Sequence, residues 1–117
     1  MTTTTLQSLQ ISDKFSENLA QIPEQPTLAA LTLLDAQGQT VATIENKPGQ
    51  AGSLRIYAWL AEQFGSITPE AAALALKIYA EHTVDAQANP GKHPNIDRLF
   101  LIQANQQSLA VQRITQG

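Results

Sequence analysis

At 117 residues the chain has room for one domain and not two. A domain of this size buries roughly two-thirds of its unfolded surface, so it can build a core without covalent staples. No cysteine is present, which excludes disulfides and thiolate metal sites and fits a reducing compartment. Seven basic against ten acidic residues leave a net charge of −3, and only 5% of residues are aromatic. That balance excludes the cationic field and the stacking platforms of a nucleic-acid binder.

The polar, threonine-rich start, residues 1–11, reads as a flexible segment ahead of a single domain over residues 12–117. It lacks the basic and apolar regions of a secretory signal. The most apolar run, Leu28–Leu34, is far shorter than the ~20 residues that a membrane helix needs. A soluble, cytoplasmic protein without membrane contact is the expectation. Ser12 or Asp13 is suited to cap a short helix whose apolar face is Phe15, Leu19 and Ile22, stopped by Pro23 and Pro26. Leu28–Leu34 and Val41–Glu45 then read as a hairpin around Asp35-Ala36-Gln37-Gly38, with the glycine in the left-handed position.

After the loop Asn46–Gly52, Ser53 is a candidate N-cap for a helix over 54–64, with Ile56, Tyr57, Leu60 and Phe64 inward, Trp59 at the half-buried edge and Gly65 closing it. Thr68-Pro69-Glu70 combines a cap, a first-turn proline and an acid at the positive end of the dipole. The spacing predicts one long helix from there to about Ala88, ended by Asn89-Pro90-Gly91. The last segment, Arg98–Ala104 and Ser108–Ile114 around Asn105-Gln106-Gln107, reads as a second hairpin. Together these predict an α+β domain: a four-stranded, mostly antiparallel sheet made of two hairpins, with about three helices packed on one face.

Most of the residues able to do chemistry fall between Tyr79 and Arg98. On a continuous helix, His82 and Asp85 extend the apolar stripe of Leu74 and Ile78, so a core face turns ionisable near its end. Lys92, His93, Asn95 and Arg98 return just after the turn. A polar pocket for a small anionic ligand is one outcome. The other is that His82, Asp85 and Asn95 hydrogen-bond the turn and pin it, helped by an Asp85–Arg98 ion pair. Two imidazoles and a carboxylate also match some zinc ligand sets, but the H-E-x-x-H spacing is absent and no metal site is assigned. A second candidate is the loop into residues 53–64, where Lys47, Gly49, Gly52 and Ser53 surround free helix-start amides able to meet an anion. The glycine patterns of nucleotide-binding loops are missing, so no cofactor is expected. No serine or cysteine arrangement suggests nucleophilic catalysis.

The stretches Glu45–Leu54 (ENKPGQAGSL) and Tyr79–Leu99 (YAEHTVDAQANPGKHPNIDRL) resemble an uncharacterised bacterial family, domain of unknown function 2322. The likeness runs from Phe15 to about Ile114 and implies a small bacterial protein. It implies no activity, cofactor or catalytic residue. The expectation from the residues is therefore a non-catalytic binding or protein-interaction module, with the Leu99–Ile102 run and exposed strand edges offering a route to a homodimer. The alternatives are a binder of small anions, or a metal-dependent hydrolase, around His82, Asp85 and His93.

Overall fold

The computed structural model describes residues 5–116. Residues 1–4 of the segment expected to be flexible lie outside the described residues. In chain order the elements are α1 (Phe15–Leu19), β1 (Leu28–Leu34), β2 (Thr40–Glu45), α2 (Ala51–Phe64), α3 (Pro69–Tyr79), α4 (Glu81–Ala88), α5 (Pro94–Asn105) and β3 (Ala110–Thr115). The class is α+β, but among the described residues the sheet has three antiparallel strands in the order β2-β1-β3, not four, and there are five helices rather than about three.

Local chemistry explains the elements that were read correctly. In the β1–β2 turn, Asp35 Oδ1 accepts from the N–H groups of Gln37 and Gln39, both at 2.9 Å, while Gly38 takes φ 80°. Leu31 stands opposite Ile44, and Leu33 opposite Ala42 and Val111, so one sheet face is mainly apolar, with Arg113 opposite Leu31 on β3 and paired with Glu62 of α2. The intervening positions Thr32, Thr43 and Gln112 put polar side chains on the other face. Thr68 caps α3 by accepting from Ala71 N at 3.0 Å.

The apolar sheet face packs on α2, which touches all three strands and, on its other side, α3. A helix enclosed between layers is apolar nearly all round. Leu54, Ile56, Tyr57, Ala58, Trp59 and Leu60 are all fully buried, Trp59 included, so it is not a half-exposed edge. Ser53 is not the cap either. The helix begins earlier, at Ala51, because Ala51 N already bonds Lys47 O, and Gln50 occupies the cap position with its side chain accepting from Glu45 N at 3.0 Å instead of capping the helix. The start of α1 behaves similarly: Lys14 is at the cap position, while Ser12 bonds Lys14 N and Glu17.

The second predicted hairpin does not form. Its first arm is part of α5, where Pro94 sits in the first turn with Asp97, and Ile96, Leu99 and Ile102 are buried at helical spacing against α3. Gln106 ends that helix at φ 54°. Only the second arm is a strand, and it crosses to β1 instead of folding back on its neighbour. The apolar Leu99–Ile102 run therefore offers no strand edge for a homodimer, and of its four residues only Leu101 is an exposed large hydrophobic.

The predicted long helix is also interrupted. Ala80 takes φ 50° and ψ −113°, which ends α3 and starts α4 in a new direction. An L-residue in that region costs about 1–3 kcal/mol, whereas glycine adopts it freely and loses roughly 0.5–1 kcal/mol of backbone entropy on folding. Ala80→Gly is accordingly expected to stabilise the fold by about 1 kcal/mol in urea unfolding. A loss of similar size would show that the break carries no strain.

Candidate functional site

The break at Ala80 is where a site is assembled. Asn18, the one polar residue wholly buried among the described residues, accepts from Ser12 N at 2.7 Å and donates to Ser12 O at 2.9 Å and Ile78 O at 3.1 Å. It thereby ties α1 to the end of α3. Just beyond the break, Glu81 accepts from Phe15 N at 2.6 Å, and this bond is the first cause that lowers its carboxyl from the usual range. Phe15 then stacks on Tyr79, with centroids 5.6 Å apart and planes within 3°. It meets His82 edge-on at 4.8 Å.

The chain returns through Gly91, whose φ is 93° and whose N–H donates to Asp97 Oδ2 at 2.9 Å. Asp85 gathers the two residues that follow: its Oδ2 lies 2.6 Å from His93 Nε2 and 2.9 Å from Lys92 Nζ. Hydrogen bonding from His93, then from Lys92, pulls the Asp85 carboxyl from 3.8 to about 2. The expected Asp85–Arg98 pair is absent because α5 turns Arg98 the other way. Its Nη1 donates to Asn95 Oδ1 at 2.9 Å and to Tyr57 Oη at 3.3 Å, with the guanidinium 5.7 Å from the Tyr57 ring. Tyr57 in turn donates to Asn95 O, and burial pushes its hydroxyl up to about 12.

Tyr79 reaches the start of α2, donating to Ser53 Oγ at 2.7 Å, and burial raises its hydroxyl far above the phenol range. The two stretches singled out in the sequence thus meet. Gly49, Gly52 and Ser53 on one side and His82, Lys92, His93 and Asn95 on the other line one cleft of about 430 Å³. Its remaining wall is apolar: Phe15, Leu19, Tyr79 and Ile96. Neither His82 ring nitrogen has a hydrogen-bond partner among the described residues, and the same holds for Gly52 and Ser53 N–H in the first turn of α2. No carboxylate lines the cleft.

Three candidates are placed elsewhere. Lys47 pairs with Glu45 at 2.8 Å and does not line the cleft. Asp85 stands outside it, holding Lys92 and His93. Arg98 opens on a separate cavity. Of the two outcomes weighed for the histidine-rich segment, pinning falls to Asp85, while the His82 side chain makes no hydrogen bond among the described residues. The rings of His82 and His93 are 5.8 Å apart, yet no group of three metal-binding side chains comes together among the described residues.

A family model described as uncharacterized protein conserved in bacteria (DUF2322) matches residues 15–113. The chain belongs to this family. The matched span covers every element from α1 to the middle of β3, and so the whole cleft. No curated protein and no solved structure matches the chain. No helix among the described residues is long and apolar enough to cross a membrane.

Phe15, Leu19 and Ile96 line the cleft but are not among the site candidates that the sequence offers. Their spacing marked Phe15 and Leu19 only as one apolar helix face, and nothing local places that face 66 residues away beside Glu81.

Asp85 gives the cleft an acid-sensitive support. Its folded carboxyl releases its proton at about 2 and the unfolded one near 3.8, so the unfolded chain binds more protons between those values. The stabilisation is fully present above about pH 4 and is lost as pH falls towards 2. In urea unfolding followed across that range, Asp85→Asn is expected to flatten the acid loss relative to the natural chain. Equal slopes would remove Asp85 as the cause.

Proposed function

We propose that this domain is a non-catalytic binding module for a small anionic ligand, seated in the cleft between the start of α2 and the α4–α5 turn. The observation that carries the reading is charge segregation. In a chain of net charge −3, this cleft has no carboxylate among its lining residues yet gathers Lys92, two imidazoles, the Ser53 hydroxyl and the amides of Gly52 and Ser53. First-turn amides and the helix dipole favour negative charge, and the Gly52 position lies against the apolar wall, with Leu19 and Phe15 at 3.4 and 3.7 Å from where a Cβ would lie. The apolar wall suits a ligand whose anionic group is carried on a small apolar body.

Nothing in the cleft supports turnover. Ser53 Oγ accepts from a tyrosine whose own proton is held tightly by burial, not from a base, and His82 is not bonded to any nucleophile. Inorganic phosphate is the simplest probe. Titrated into nitrogen-labelled protein, it is expected to shift the amide resonances of Gly52 and Ser53 saturably. His82→Ala is expected to weaken that binding on the order of tenfold, and to cost about 1 kcal/mol or less in stability through its contact with Phe15. No saturable shift, or a destabilisation of about 2 kcal/mol or more, would favour a purely structural role for His82.

Self-association is a second reading, and the outer positions of β2 and β3 favour it, since each is a terminal strand of the sheet. Light scattering at tens of micromolar should then give twice the chain mass. A clean monomer removes this reading and leaves the cleft untouched.

A further inference from the structure

A larger cavity, about 580 Å³, lies between α5, the β1–β2 turn and Leu109. Its walls are mainly apolar, from Val41, Leu101, Ile102 and Leu109. Val41 and Leu101 are 48% and 60% exposed, which is high for side chains of their type. Three charged groups also line it: Arg98, Asp35 and Asp97.

The state of those charges is informative. Arg98 uses only Nη1, on Asn95 and Tyr57, so Nε and Nη2 have no partner among the described residues. Its guanidinium is nonetheless fixed, held at both acceptors and over the Tyr57 ring. Asp35 directs Oδ1 to two turn amides, and Asp97 directs Oδ2 to Gly91 N, which leaves one carboxylate oxygen unbonded on each. Neither acid forms an ion pair with Arg98. Both signs of charge thus face one apolar cavity without neutralising each other.

We propose that this cavity binds a free α-amino acid with an apolar side chain. A simple anion would meet two carboxylates there, and a simple cation would meet a fixed guanidinium. A zwitterion places its carboxylate on Arg98, in the planar fork that suits bidentate recognition, and its ammonium on the aspartates. The apolar walls take the side chain, and the volume lies within the usual range for small-molecule sites. Arg98 is therefore the anchor of a site separate from the anion cleft.

The test is a titration of the full nitrogen-labelled chain with L-leucine, isocaproate (which lacks the ammonium) and isoamylamine (which lacks the carboxylate). L-leucine is expected to shift the amides of Val41, Leu101, Ile102 and Leu109 saturably, with each truncated analogue weaker on the order of tenfold or more. Arg98→Gln is expected to abolish the leucine response. Leu101→Gln, at an exposed position that the fold does not require, is expected to weaken it severalfold and reports on the same cavity should Arg98→Gln not fold. The proposal is overturned by the absence of a saturable leucine shift, by either analogue binding as tightly as leucine, or by unchanged leucine binding in Leu101→Gln.

Discussion

The break in the helix at Ala80 is the constraint on which the rest of the structure depends. Had α3 continued, residues 82 and 85 would lie above Leu74 and Ile78 on one face of one rod. The positive φ redirects the chain after Tyr79, and the carbonyls freed by the break find other donors. Leu76 O accepts from Thr83 Oγ1 at 2.6 Å, Lys77 O from Ala80 N at 3.2 Å, and Ile78 O from Asn18. The strain at one alanine is therefore offset by bonds that also fasten α1 and the segment before it to the helical layer. Without those bonds, Phe15 would have no reason to lie between Tyr79 and His82, and the cleft would lose a wall.

The same bonds decide where the negative charge goes. Glu81 is turned to Phe15 N, Asp85 to Lys92 and His93, and Glu45 to Lys47. Each of these acids is held by a partner and none of them lines the cleft, and that arrangement makes a cleft without carboxylates possible in an acidic chain. It also limits Lys92. Its side chain is 60% exposed and its Nζ already paired, and exposed pairs contribute little, so on the proposed reading the attraction for an anion rests more on the α2 amides and the unbonded imidazole than on that lysine.

The parts of the fold legible in the sequence were those whose chemistry is local. Thr68-Pro69-Glu70 started a helix, Gly38 took its turn position, and Gly65 closed α2, because each needs only its neighbours. Ala80 gave no such sign: alanine is the best helix former, and the group that stabilises the break, Asn18, is 60 residues away from Ile78. Arg98–Ala104 was misread because a short apolar run fits a strand and a buried helix equally well. The helical spacing of Ile96, Leu99 and Ile102 begins ahead of that run, at the proline that starts α5. The strand that does follow pairs with β1, for which sequence proximity offers no hint. Within the cleft, His82, Lys92, His93 and Asn95 were legible because about a dozen residues and one turn contain them all. Lys47 and Arg98 were misplaced because charge alone does not say which way a side chain leaves the backbone.

The first turn of α5 divides the two cavities, and Pro94 lines both. Tyr57 stands behind that turn, fully buried. It donates to Asn95 O and accepts from Arg98, while the Asn95 side chain holds Arg98 from the other side. Asn95 therefore borders the cleft and fixes the guanidinium of the cavity. Were both sites to bind as proposed, a ligand that shifted Asn95 in the cleft would alter the acceptor that orients Arg98, and any resulting change in affinity would be returned in equal measure by a ligand on Arg98. Coupling of this kind needs no moving domain, only one buried hydroxyl whose two bonds serve opposite sides of the same helical turn.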